Sequence, residues 1–355
     1  MIQQEALLSI TPGYDPRIGS LLAQCEDDWG RPEDNRKLLL PYGIRPLDIA
    51  LYGIDIVNGE VLVFQGPPKR RKTTAVVNIL INFMTMGART HVPTTVIDTL
   101  ESGMNEKRYR DTILCNLATR LLLRDGHKYL EACPACGAPK CQHLGLTPDY
   151  LRYNTRTGVQ ATAIEEAMEI MGSWPLLLYS ASKQAGNTRD LTTTMLPSDK
   201  GRSRWEYLIE EFGAKVIISD HLQQYIIPTG AKLSDYEKQI LVVEESSRIV
   251  AQYKTVLFLL SQVSLTSQRE AAAGTGKYTA MGGQKAEAEA TSVFSVDYAP
   301  GSGRMTITLE ESRKYQSFSV FQTLEDASGA FYGDATQGQK SVYREGMDDV
   351  RRSKH

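Results

Sequence analysis

At 355 residues, with 41% hydrophobic and 23% charged positions, the chain is long enough for one large domain with appendages and has the balance of a globular protein, which excludes a disordered or fibrous one. A formal net charge of −2 excludes coating nucleic acid through bulk positive charge and leaves only a local basic stripe for such a role. No apolar run reaches bilayer length, and the opening "MIQQEALLSITPGYDP" has neither the basic nor the apolar region of a signal peptide, so no membrane association and a cytoplasmic location are expected.

Residues 1–45, punctuated by Pro12, Pro16, Pro32 and Pro41, read as an N-terminal arm. From Gly59 the pattern changes. "VLVFQ" (61–65) is a continuous apolar run, the mark of a strand buried on both faces. It leads into "GPPKRRKTT" (66–74), and "TTAVVNILINFMTMG" (73–87) then reads as a buried helix closed by Gly87.

Strand, tight turn and helix in this order make a phosphate-binding loop: backbone N–H groups and the helix N-terminus face the anion, a lysine reaches the β- and γ-phosphates, and a hydroxyl reaches magnesium. Gly66 opens the loop, and Lys72 and Thr73 stand where G-x-x-x-x-G-K-[ST] needs them. The candidate nucleotide-binding residues are Gly66, Pro67, Pro68, Lys69, Arg70, Arg71, Lys72, Thr73 and Thr74. Arg71 occupies the second glycine position, and a side chain resists the positive φ that glycine allows. Either the loop turns differently or it binds nucleotide poorly, and the added cations either face the triphosphate or fold outward. "PPKRRK" also fits a basic address signal, but such a signal needs neither the buried strand before it nor the buried helix after it.

"TTVIDTL" (94–100) is the next buried strand, with Glu101 just past its end, where a carboxylate can orient and deprotonate an attacking water. The segment from about 125 to 170 breaks the alternation of strand and helix and reads as an insertion. It contains "CPACGAPKCQH": Cys133 and Cys136 form a zinc-knuckle turn, and Cys141 and His143 follow, with His127 or Cys115 as other possible ligands. Three of the five cysteines cluster here, which suits a reducing compartment and structural Zn2+ in place of disulfides. No glutamate is placed as a base for catalytic zinc, and reduced cysteines without metal are the bland alternative.

"PLLLYS" (175–180), "KVIISD" (215–220) and "TVLFLLS" (255–261) are further buried strands, separated by a glycine-closed helix "WEYLIEEFG" (205–213) and a longer one introduced by a Ser234–Glu237 capping box. Asp220 and Gln262 sit at strand ends, suited to the magnesium shell and to sensing the γ-phosphate. "TSVFSVDY", "RMTITLEES" and "SFSVFQTL" extend the sheet as antiparallel hairpins, with Arg313 and Lys314 as cations for a neighbouring subunit's phosphate. Residues 331–355 read as a flexible polar tail. Together these imply an α/β fold, a mainly parallel sheet with helices on both faces.

Taken in order, these segments resemble the RecA-like ATPase domain of DnaB-type replicative helicases. "DIALYGIDIVNGEVLVFQGPPKRRKTT" resembles the family's lead-in and Walker A, "VIDTLESGMNEKRYR" its catalytic-glutamate segment, "VIISDHLQQYI" its Walker B, "VLFLLSQVS" its glutamine motif, and "GGQKAEAEATSVFSVDY" the stretch before its late strands. The match covers roughly residues 45–325, apart from the insertion. The resemblance implies a P-loop NTPase core over 46–330 that uses ATP and Mg2+, with Lys72, Glu101, Gln262 and Arg313 catalytic and Thr73 and Asp220 at the metal. It also implies a hexameric ring acting as helicase or translocase on single-stranded DNA alongside replication proteins. The loops at 221–236 and 264–285, the latter with Lys277 and Lys285, would then face the channel. Two features depart from the family: Arg71, and Glu311 where a lysine accompanies the arginine finger. The family's N-terminal helical domain is not evident in residues 1–45. These departures keep open a second reading, a RecA-like scaffold or recombination mediator that binds nucleotide with weak or no hydrolysis. A KaiC-like regulatory ATPase is a third, disfavoured by the segments around 98–110 and 282–298.

Overall fold

The computed structural model describes residues 39–86, 92–99, 106–124, 146–153, 158–180, 203–222, 235–263, 289–299, 304–324 and 329–334. The chain enters through β1 (Leu39–Leu40), which pairs antiparallel with β2 (Ile54–Asp55) around helix α1 (Arg45–Leu51). Strand β3 (Glu60–Gly66) and helix α2 (Lys72–Met86) follow, then β4 (Thr95–Thr99), α3 (Glu106–Arg124), α4 (Pro148–Tyr153) and α5 (Gly158–Gly172). After them come β5 (Leu176–Ser180), α6 (Arg204–Phe212), β6 (Val216–Asp220), α7 (Asp235–Tyr253) and β7 (Val256–Gln262). The chain closes on β8 (Ser292–Ala299), β9 (Arg304–Ser312), β10 (Phe318–Leu324) and β11 (Phe331–Asp334).

The later strands and β3 form a nine-stranded sheet in the order β11-β10-β9-β8-β3-β7-β6-β4-β5. From β8 to β5 every pairing is parallel, and β9, β10 and β11 add antiparallel neighbours at one edge. The continuous apolar runs are explained by this arrangement, since a strand with helices on both faces has no wet side. Alternate residues go to opposite layers. Leu62, Phe64, Phe258, Leu260 and Ile97 meet the core shared with α2, α3 and α5. Val61, Val63, Leu257, Leu259 and Val96 meet Trp205 and Leu208 of α6 and Val242 and Ile249 of α7. Phe64 stacks between Phe294, at 4.7 Å, and Phe258, at 5.9 Å, across the middle of the sheet.

Several elements lie where the sequence reading had none, α1, α3, α4, α5 and β11 among them. Within the span read as an insertion, α5 buries Ala163, Ile164, Ala167 and Ile170, and Leu146 is buried beside them, so this part belongs to the main core. The stripe recurs every three or four residues, the period of a helix with one apolar face. Strand β11 pairs with β10 beyond residue 330. The helix expected from "WEYLIEEFG" is present as α6, with a capping box that the reading missed: the Ser203 side chain accepts from the Glu206 N–H, and the Glu206 carboxylate accepts from the Ser203 N–H. The proposed Ser234 cap and Gly87 lie outside the described residues, as do residues 1–38.

In α1, Asp48 accepts the backbone N–H of Tyr42 at 2.6 Å. Burial pushes its carboxyl up to about 7, against the opposing pull of backbone donors at Tyr42, Gly43 and Ile44. An unfolded Asp titrates near 4, so across the window from about 4 to about 7 the folded state holds a proton that the unfolded state has lost. Stability therefore falls as pH rises through that window. Urea unfolding at both ends of it is expected to show a larger loss for the wild type than for Asp48→Asn, and equal losses would remove Asp48 as the cause.

Candidate active site

The loop read from sequence as phosphate-binding runs from the last residue of β3 to the first turn of α2. Gly66 is required by close approach: a Cβ there would lie 2.4 Å from the Val296 carbonyl oxygen of β8. Beyond it the backbone is left-handed twice, at Lys69 (φ 61) and Arg71 (φ 62). The loop thus takes the glycine-type turn with an arginine in it. Such a conformation costs a non-glycine residue about 1–2 kcal/mol. The offset comes from β8. The Arg71 guanidinium lies 4.4 Å from the Tyr298 ring centroid, a contact worth roughly 0.5–1 kcal/mol. Arg70 donates to the Tyr298 carbonyl at 2.6 Å, with Asp297 at 3.6 Å. Both arginines are engaged with the end of β8.

Lys72 is buried, and its ammonium donates to the carbonyls of Gly66 at 2.8 Å and Pro67 at 2.9 Å. Thr73 donates its hydroxyl to Asp220 Oδ2 at 2.9 Å, tying the start of α2 to the end of β6. The same oxygen accepts the phenol of Tyr109, which is buried in the first turn of α3. His221 Nδ1 is 3.9 Å from Asp220 Oδ1. Gln262, half-buried at the end of β7, is in register with Gly66, and Thr99 of β4 is in register with Asp220. Lys72, Thr73, Asp220 and Gln262 therefore share the carboxyl edge of the sheet.

Helix α2 is braced from behind. Asn78 donates to the carbonyls of Thr74 at 2.8 Å and Gly329 at 2.9 Å, and its amide oxygen accepts from the Phe331 N–H and from Arg120 of α3. Asn82 accepts from Arg120 at 2.7 Å and donates to the Tyr42 carbonyl at 2.7 Å. Gly329 is pressed onto the loop helix: a Cβ there would sit 2.6 Å from Thr74 Cγ2. Buried hydrogen bonds of this kind favour one arrangement of the elements they join.

Arg313 is exposed at the opposite edge, its N–H donating to the Thr291 carbonyl at 3.0 Å. Its neighbour Lys314 forms an ion pair with Glu60 at the start of β3. Burial raises the Glu60 carboxyl, and Lys314 opposes that rise. Lys314, read from sequence as a cation for a neighbouring phosphate, thus has a partner within its own chain. Cys115, a possible zinc ligand, is buried within the core face of α3. Glu101, the zinc candidates Cys133, Cys136, Cys141, His143 and His127, and the DNA candidates Lys277 and Lys285 lie outside the described residues. Among the described residues no group of three or more His, Cys, Asp and Glu side chains is arranged to hold a metal, and no helix is long and apolar enough to cross a membrane.

The residues fit a magnesium-bound nucleotide. Thr73 and Asp220 are hard oxygen donors of the kind Mg2+ prefers, and the buried Lys72 ammonium at the loop mouth can exchange carbonyl partners for phosphate oxygens. Tyr109, Tyr298 and Asn78 were missed in the sequence. Tyr109 had a signal: with Ile113, Leu117 and Leu121 it makes the apolar face of α3, and a buried phenol needs a hydrogen-bond partner.

No family model matches the sequence, and no curated protein matches it. Solved structures do match by fold. One, an ATPase domain, superposes with a TM-score of 0.59 at 12% identity, over 89% of this chain and 99% of that one. A DnaB-like replicative helicase, described with its interactions with primase, superposes at 0.60 and 12% identity, over 93% of this chain and 70% of that one. The chain therefore shares the RecA-like fold of these structures, a mainly parallel sheet with helices on both faces.

Proposed function

We propose that the protein is an ATP-driven helicase or translocase that acts on single-stranded DNA in replication, with ATP sites between the subunits of a hexameric ring. The observation that carries this reading is the hydrogen bond from Thr73 to Asp220, which joins the phosphate loop to the end of β6 beside Gln262. In this reading Lys72 holds the β- and γ-phosphates, Thr73 and Asp220 hold Mg2+, and Gln262 senses the γ-phosphate. Bound magnesium neutralises charge developing on the transferring phosphoryl group. Glu101 is the base for the attacking water. Arg313, exposed at the edge away from its own loop, is suited to a neighbour's site. Lys277 and Lys285 contact the DNA backbone. Cys133, Cys136, Cys141 and His143 hold a structural Zn2+.

The experiment is ATP turnover with and without single-stranded DNA, for the wild type and Glu101→Gln. DNA is expected to stimulate the wild type, and the variant is expected to lose about 10²-fold or more, the lower end of what a general base supplies. Retained turnover in the variant would take the base role from Glu101. The arginine in the glycine position favours a second reading, a nucleotide-binding scaffold or recombination mediator with little hydrolysis. Nucleotide-dependent assembly without DNA-stimulated turnover would decide for it.

A further inference from the structure

Asp220 is the meeting point of three elements, and the third contributes Tyr109, a residue to which the sequence reading gave no role. Its Oδ2 accepts from Thr73 at the start of α2 and from the phenol of Tyr109 in the first turn of α3. Tyr109 is 1% exposed, so its hydroxyl is spent on this contact inside the protein and is not a surface group. Two donors on one carboxylate oxygen fix the rotation of the group. Oδ1 is thereby held on the other side, toward His221. Helix α3 is also the element that follows Glu101 in the chain.

We propose that Tyr109 is a positioning residue for magnesium-dependent nucleotide binding. Its phenol holds the orientation of the Asp220 carboxylate, which would meet the metal, and it links that carboxylate to the helix that follows Glu101 in the chain. The inference rests on the nucleotide reading of the loop. Partners that orient metal-associated groups from behind are worth about 10- to 100-fold in metal affinity. Removing the phenol oxygen leaves Thr73 as the donor shown on Oδ2 and lets the carboxylate turn.

The test is titration of a fluorescent ADP analogue against wild type and Tyr109→Phe, in EDTA and across a Mg2+ series. The variant is expected to match wild type in EDTA and to need roughly tenfold more Mg2+ for half-maximal tightening. In an Asp220→Asn background, adding Tyr109→Phe is expected to change the Mg2+ requirement no further, because the carboxylate it orients is gone. Should Tyr109→Phe prove less stable, the comparison is the melting shift that nucleotide produces in Mg2+ over EDTA, taken within each protein. An unchanged Mg2+ requirement, or an equal effect with and without Asp220, would overturn the proposal while leaving the nucleotide site standing. A wild type that binds no nucleotide in either condition would overturn both.

Discussion

Arg204→Met is expected to destabilise the fold by about 3–5 kcal/mol, the cost of stranding one member of a buried ion pair. Arg204 is the first residue of α6, and both it and Asp98 of β4 are fully buried. Nε of the guanidinium reaches both carboxylate oxygens, at 2.9 and 2.7 Å, and the Tyr179 ring covers the guanidinium at 4.8 Å. Methionine keeps most of the stem and its packing, so the loss isolates the charge. Asp98 would then sit at the end of β4 without the guanidinium that balances it. Urea unfolding measures the loss directly. The second arm is Arg204→Met with Asp98→Leu, which is expected to recover most of the stability, because replacing a whole buried pair by apolar groups is often neutral. A single variant as stable as wild type would show that the pair contributes little. The position matters for function too, since Asp98 lies just before the stretch that leads to Glu101.

Lys72→Met is expected to lower ATP turnover by roughly 10³-fold, the lower end of what a cation on the transferring phosphoryl group supplies. The ammonium already sits at the mouth of the loop on two carbonyls, so little rearrangement separates it from a phosphate. Methionine preserves most of the length of the side chain and abolishes its charge. Gly66 and Pro67 are both buried, so leaving their carbonyls without the ammonium is expected to cost about 1–3 kcal/mol in stability. Turnover and melting temperature measured on the same preparation separate the two effects. Wild-type turnover in this variant would place hydrolysis at some other site and would remove the phosphate loop from the mechanism.

Much of the scaffold around the loop was legible in the sequence because it follows from local pattern. A run such as "VLVFQ" or "VLFLLS" cannot face water on either side, so it must be a central strand, and the residue at its end must lie at the sheet edge. That reasoning found the strands that deliver Asp220 and Gln262, whereas the register that sets Gln262 opposite Gly66 belongs to the tertiary structure. It failed where a side chain's meaning depends on a distant partner. Arg71 in the glycine position looked prohibitive, yet Tyr298 on β8 supports its left-handed turn. Lys314 looked available to a neighbouring subunit until β9 was seen to bring it to Glu60. Helix α5 was hidden because cysteine spacing dominated the reading of its segment, although its apolar stripe was present.

By itself, then, the sequence determined the layered α/β plan, the turn between β3 and α2 and the strand ends that surround it, since these depend on hydrophobic period and on residue types at short spacing. Tertiary structure decided how an arginine could stand in for a glycine, which carboxylates are neutralised within the fold, and that Tyr109 shares Asp220 with Thr73. Those contacts join residues far apart along the chain, and no local pattern encodes the distance between them.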